Sequence, residues 1–434
     1  MNFFEQLRDK DPLVNQYEQN KILGVNKYYD VEDFCQIIDY YYFSQDFKKA
    51  TTAVEDALAI HPTSFELLLR KARVMIEIKK YVSAIKILNF LTKENPKETE
   101  LFLLLGFSFA SLGKVKYSEI NFKKLLDLAE DKQELIAFLN DIGYIYLSLK
   151  QYHKAYKYYS RAYELDKSDF HLLYEMAFCL EKQNKNQKSK ELYIKYLKNN
   201  PYSKLAWYNL GVVYIKLNET NKALEAFDFA LAIDPAFSSA IYNKAHLLFE
   251  TKKYDESIHY YKKILKLENN NPSAFFFIAK NLIELKKYHS ALIYLQKALE
   301  KVPFFPQAWH EIAKILFINN KLKESKHYIF KAIKQGEMNP DSLKLLGNIY
   351  LKENDYNKAE TAFKWAALAN PFDEEIWIKY SEVFEKKGNF NKAIEILKNS
   401  QEFLKENPAI SRKIAYFSTL EEKNKTQSLH KTNK

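Results

Sequence analysis

Cysteine occurs only twice in the 434 residues, at Cys35 and Cys179. The two stand too far apart along the chain to be expected to meet, and we read both as reduced thiols of a cytoplasmic protein. Long apolar runs are also missing. No stretch reaches about 18 apolar residues, which excludes a membrane-spanning helix. At the start, Glu5, Arg8, Asp9, Lys10 and Asp11 interrupt any apolar core, so an ordinary secretory signal is not expected. Signatures of catalysis are absent too. There is no Gly-rich loop ending in Lys-Ser/Thr, no His-Glu-x-x-His, no Cys-x-x-Cys and no Gly-x-Ser-x-Gly. The nine histidines are scattered, and the carboxylate pairs Glu374-Glu375 and Glu421-Glu422 fall at a helix start and in the tail. The expectation is a non-enzyme without cofactor or metal.

Glycine and proline are scarce, with eight and eleven copies, and their positions repeat. Numbering a 34-residue unit from Lys204, position 1 recurs at Ile136, Phe170, Ser238, Pro272, Pro306, Pro340, Glu374 and Pro408 without slip. Upstream, units start at Val31, Phe65 and Thr99, and three extra residues precede Ile136. Position 20 is small in all eleven units, from Ala50 to Ala393. Position 8 is small in every unit except the first, where Ile38 stands. Position 24 is large and apolar or aromatic, from Val54 to Leu397, so large side chains are expected to face small ones across two helices. Position 15 carries Gly113 and Gly388 and otherwise often Asn (Asn184, Asn218, Asn320, Asn354), which tolerate the left-handed backbone that ends a helix. Pro62, Pro96, Pro201, Pro235, Pro303 and Pro371 share position 32, where a second helix must stop. Each unit therefore reads as helix, tight turn, helix, short loop.

Over residues 31–407 this pattern, with Trp207, Leu210, Gly211, Tyr214, Ala223, Phe227, Ala230 and Pro235 in one complete period, resembles the tetratricopeptide repeat (TPR). More loosely, the chain is similar to the soluble TPR-only proteins of Bacteroidota-type bacteria. The resemblance implies an all-α, right-handed superhelical TPR solenoid of helix-turn-helix repeats. Residues 1–30 are expected to form a capping helix and lead-in, with Asp11-Pro12 opening the helix to about Leu23 and Gly24-Val25-Asn26 as its exit turn. A C-terminal capping helix is expected over 408–423, followed by a disordered polar tail over 424–434. No internal linker interrupts the array.

The net charge of +11 is spread along the chain, with one mild basic concentration in the seventh to ninth units. Because a phosphate-binding patch requires clustering, most of this charge reads as solvated helix face. In the TPR fold the first helix of each unit lines the concave surface, and positions 2, 5, 9 and 12 lie on that face. Early units place Glu32, Asp39, Glu66, Arg73 and Glu100 there. The middle places Phe107, Tyr144, His171, Tyr174, Phe178, Tyr208, Val212, Tyr242, His246, Phe249 and Phe276. Later units place Lys280, His310, Lys314, Phe317, Lys344 and Asn348, before Glu375, Glu382 and Glu385 turn acidic. Aromatic rings beside a basic stretch suit a peptide carrying apolar anchors and carboxylates. Some eukaryotic TPR chaperone adaptors hold a C-terminal carboxylate with a Lys/Asn set. Here Lys344 and Asn348 match that set, whereas Lys379, Ala409 and Lys413 depart from it, and Lys344, Lys379 and Lys413 leave a locally basic surface. The reading is a cytoplasmic protein-interaction scaffold binding polypeptide segments in its groove. The alternatives are an RNA- or DNA-binding solenoid and a regulatory subunit of an enzyme on another chain.

Overall fold

In the computed structural model, residues 12–25, 27–335 and 339–432 are described, and among them every regular element is a helix. The lead-in α1 (Pro12–Leu23) precedes the pairs α2 (Val31–Phe43) and α3 (Phe47–Ile60), α4 (Phe65–Glu77) and α5 (Tyr81–Glu94), α6 (Thr99–Ser111) and α7 (Val115–Asp127), α8 (Lys132–Ser148) and α9 (Tyr152–Leu165), and α10 (Phe170–Lys182) and α11 (Asn186–Asn199). There follow α12 (Lys204–Lys216) and α13 (Thr220–Ile233), α14 (Ser238–Glu250) and α15 (Tyr254–Leu267), α16 (Pro272–Glu284) and α17 (Tyr288–Lys301), α18 (Pro306–Ile318) and α19 (Leu322–Gln335), α20 (Pro340–Lys352) and α21 (Tyr356–Ala369), α22 (Glu374–Lys386) and α23 (Phe390–Ser400), and the last helix α24 (Pro408–Thr432). First helices open at the residue the period predicts in every repeat but the fourth. There the three extra residues are absorbed as an added turn, giving α8 17 residues where the other first helices have 13 up to α22, with Asp131 accepting a hydrogen bond from the Glu134 N–H.

The turn between paired helices is the same in all eleven repeats. Its position-15 residue has positive φ in each, from Gln45 (60°) through Gly113 (70°) to Gly388 (72°). The next residue's N–H then reaches back five positions, as Lys80 to the Met75 carbonyl (2.8 Å) and Lys253 to the Leu248 carbonyl (2.8 Å). This is the bond pattern that satisfies the orphan carbonyls at a helix C-terminus. Asparagine and glycine were the residues expected there, yet Lys79, Lys150, Lys252 and Lys286 adopt the same conformation. First helices are capped by side chains such as Asp30, Ser64, Asp169, Ser203, Asn271, Asn339 and Asp373.

The described helices group into two compact units, one ending at Glu219 and the other starting at Thr220, a division the uninterrupted repeat did not announce. Repeats that pack only on neighbours share no single core, so contacts in a long array divide near mid-length. Within each unit a first helix packs on its partner, and that partner packs on the next first helix. Large position-24 side chains fill the space between them. Phe122, Tyr159 and Tyr193 in the first unit and Tyr261, Leu295 and Phe363 in the second are essentially inaccessible to water. Buried serines at position 20 satisfy themselves on the partner helix: Ser257 donates to the Ala245 carbonyl (2.8 Å) and Ser325 to the Ala313 carbonyl (2.7 Å). Cys35 and Cys179 are buried and unpaired, in separate core clusters.

At the N-terminal end, α1 buries Val14 and Tyr17, and Gly24 has positive φ at its exit; Asp11 and Asn26 lie outside the described residues. At the other end, Ile410 and Phe417 of α24 are buried. The tail expected to be disordered from 424 continues α24 to Thr432. Its sequence there is polar but contains neither glycine nor proline, so nothing in it stops the helix.

Candidate peptide groove

In the first unit, the aromatic positions on first helices divide into two kinds. Phe107 is half-buried and meets Tyr81 edge-on at 6.2 Å, so it belongs largely to the packing between repeats. Tyr208 and Val212 are half-buried as well. Tyr144 and Tyr174, by contrast, are 65% and 40% exposed. Tyr174 stacks on Phe178 at 6.4 Å, with the Lys182 ammonium 5.1 Å from the Phe178 ring centre. Consecutive first helices α8 and α10 thus each present an open tyrosine, with Phe178 half-buried beside Tyr174.

Two carboxylates stand beside those rings that the reading at positions 2, 5, 9 and 12 did not select. Asp141 and Glu175 both occupy position 6, on the same face because it lies four residues after position 2 and three before position 9. Among the described residues Asp141 has no hydrogen bond or ion pair, and although it is open to solvent, the crowding around it pushes its carboxyl above the ordinary value. Burial raises Glu175 in the same way, with His171 pulling it back; the His171 Nε2 is 3.8 Å from Glu175 and charged only when protonated. Both carboxylates act on the Tyr159 phenol of α9, the helix packed against α8 and α10.

In the second unit the predicted positions are mostly occupied with internal work. Phe276 is nearly buried, 5.0 Å from Phe305 and part of the core. Tyr242 packs edge-on against Tyr261 and Phe277, and burial raises its phenol. His246 is exposed and meets Phe277 edge-on at 6.0 Å. Lys280 lies over the Phe249 ring at 5.2 Å and Lys352 over Phe317 at 4.2 Å. Asn348 is half-buried. A cleft of about 790 Å³ opens between α16, α18 and α20, lined by Phe276, Phe277, Lys280, His310, Glu311 and Asp341 among others. His310 Nδ1 is 3.0 Å from the Ser342 Oγ, and burial pulls the His310 imidazole below its ordinary value, which favours the neutral ring.

The expected basic stretch is not a free one. Lys344 is held by Glu375 (2.9 Å), Asp373 (3.1 Å) and Asp341 (3.5 Å). Burial works against its charge, but the bonds to Glu375 and Asp373 outweigh it, and the ammonium stays protonated well above the usual lysine value. Lys379 pairs with Glu382 at 2.9 Å, and Lys413 lies 3.6 Å from Glu382 and Glu385. Lys314 approaches Glu311 at 3.8 Å. The basic surface expected around Lys344, Lys379 and Lys413 is therefore neutralised from within. The missed signal was spacing: Lys344 to Asp373 and Glu375, Arg70 to Asp39, Arg73 to Glu100 and Lys326 to Glu353 all join opposite charges 27 to 31 residues apart, one repeat minus a helical turn or so.

Among the described residues no group of three or more His, Cys, Asp and Glu could hold a metal ion, and no helix is long and apolar enough to cross a membrane. Paired helices with an invariant turn, small-to-large packing and open first-helix faces define a helical-hairpin repeat protein of the interaction class. Models of the tetratricopeptide repeat match residues 44–106, 136–169, 205–237, 238–271 and 344–403, together more than half of the chain. The chain belongs to the tetratricopeptide repeat family. It is 34% identical over 107 residues to the uncharacterized protein ycf37 of Guillardia theta, a match over 24% of this chain and 60% of that protein. Similar solved structures include a tetratricopeptide repeat protein of Parabacteroides merdae (19% identity, 57% of this chain and 98% of that one, TM-score 0.46). Yeast Tom70 is another (16% identity, 97% and 96%, TM-score 0.46).

Proposed function

We propose that this chain is a non-catalytic, cytoplasmic scaffold that captures polypeptide segments on the groove face of its first helices. The observation that carries the reading is the exposure of Tyr144 on α8 and Tyr174 on α10, with Phe178 half-buried and stacked on Tyr174. Exposed rings on a rigid framework offer contact area at little entropic cost, and nothing within the fold requires them to be exposed. A nucleic-acid reading has weaker support, because several lysines of the basic repeats already face carboxylates, as Lys287 faces Asp255, Lys321 faces Glu324 and Lys326 faces Glu353.

The test uses a peptide selected on the intact chain from a random display library. Replacing Tyr144→Ala together with Tyr174→Ala is expected to weaken its binding at least about tenfold, the effect of losing one good aromatic anchor, while the thermal unfolding midpoint stays close to that of the parent. Unchanged affinity would remove the first-unit groove from the account.

A further inference from the structure

The chemistry of the captured segment can be taken further, on the basis of the groove reading above. We infer that the face shared by α8 and α10 takes a basic segment, with a lysine or arginine side chain of the partner held at Asp141 and Glu175 and its aliphatic stem against Tyr144 and Tyr174. On α8 the carboxylate of position 6 and the ring of position 9 are three residues apart, and on α10 Glu175 lies between Tyr174 and Phe178 along the same stripe. Each helix therefore presents an anion and an aromatic ring together, the pair that suits a cation with an apolar stem.

Several helix carboxylates of the same unit find a cation, as Glu181 does Lys216, Glu219 Lys190, Asp39 Arg70 and Glu100 Arg73, and others find a phenol, as Glu77 does Tyr42 and Glu119 does Tyr146 and Tyr158. With Lys and Arg at 66 against 55 Asp and Glu, partners are not in short supply. Asp141 has none, and Glu175 has only a histidine at 3.8 Å. Asp141 is open to solvent and Glu175 half-buried, so a cation arriving from outside would meet negative charge that no lysine or arginine of the chain neutralises. In the second unit Glu311 occupies position 6 of the ninth repeat and lines the cleft with Phe276 and Phe277, but there Lys314 approaches it at 3.8 Å. An acidic partner, favoured by sequence reading alone, would meet these carboxylates while Lys344 is already neutralised.

The experiment measures fluorescence anisotropy of three labelled peptide pools against the full chain, at low salt. The pools share a randomised background with one central position fixed as Lys/Arg, Gln or Glu. The Lys/Arg pool is expected to bind about tenfold or more tighter than the Glu pool, the scale of a charge pair formed in a partly buried site. In the isosteric double variant Asp141→Asn with Glu175→Gln the preference should fall below about threefold. The unfolding midpoint of that variant should be equal to or above the parent's, since an unmatched pair of carboxylates has been relieved. Equal binding of the Lys/Arg and Glu pools, a preference that survives in the double variant, or a drop in its midpoint each overturns the inference. If binding without charge preference still depends on Tyr144 and Tyr174, the inference falls and the groove reading stands. If no pool's binding depends on those tyrosines, both fall.

Discussion

Gly347 shows how little freedom the repeat leaves a single residue. A Cβ there would come within 2.7 Å of the Phe363 ring; at Gly143 it would meet Tyr159 at 2.7 Å, and at Gly106 it would meet Phe122 at 2.1 Å. Where position 24 carries Leu or Ile, as at Leu88, Leu295 and Ile329, position 8 carries Ala72, Ala279 and Ala313. Size is matched across these six helix pairs, whereas Tyr193 and Tyr261 stand opposite Ala177 and Ala245, and the relation is readable as two columns 16 residues apart. Gly347→Ala is expected to destabilise the chain by about 1–3 kcal/mol, because overpacking a dense interior forces side chains off their rotamers. Adding Phe363→Leu should recover part of that loss by removing the opposing ring. Denaturant unfolding of the three variants measures it; a neutral Gly347→Ala would contradict the packing scheme. The indole bonds were not readable in this way. Trp207 and Trp377 each donate to a position-32 proline carbonyl of the preceding repeat, Pro201 and Pro371, at 2.8 Å. A pattern of residue types marks the two columns but not the bond between them.

At the scale of the element, helix starts and turns follow from sequence because each is fixed within a few residues by a cap, a proline or a left-handed turn. What joins one repeat to the next depends on side chains about thirty residues apart and was not anticipated. His310 illustrates the difference. It was expected in the groove's basic stretch, but burial favours its neutral ring and it is tied through Ser342 to the first helix of the following repeat. A histidine whose folded value lies below the ordinary 6.5 binds its proton more readily when the chain unfolds. Its contribution to stability is therefore complete above that ordinary value and is lost as pH falls through it toward the depressed folded value. Lowering pH from about 7.5 to about 5.5 should reduce the unfolding midpoint of the parent more than that of His310→Gln, which cannot titrate. Equal reductions in both proteins would contradict this account of His310.

Across the whole molecule, the repeat consumes most side chains in packing, turns and ion pairs between neighbouring hairpins, and surface ion pairs of this kind contribute only about 0–1 kcal/mol each. Sequence therefore exposed the architecture almost completely, since eleven copies of one unit average out local noise. It exposed the groove less well. Tyr144 and Tyr174 were selected from helical spacing and are exposed, while Asp141 and Glu175 were passed over because a carboxylate's lack of a lysine or arginine partner is a property of the folded chain.

The most direct measurement of the central claim is site-specific photo-crosslinking in the native cell, from a benzoyl-phenylalanine placed at position 144 or 174 on a first helix or at position 90 or 117 on a second helix. Phe90 and Tyr117 are as open as the groove tyrosines, at 55% and 56% exposure, so accessibility alone does not favour either set. The account predicts polypeptide adducts from 144 and 174 and none from 90 and 117. Adducts from the second-helix positions with none from the first would place the interaction surface on the wrong face and contradict it.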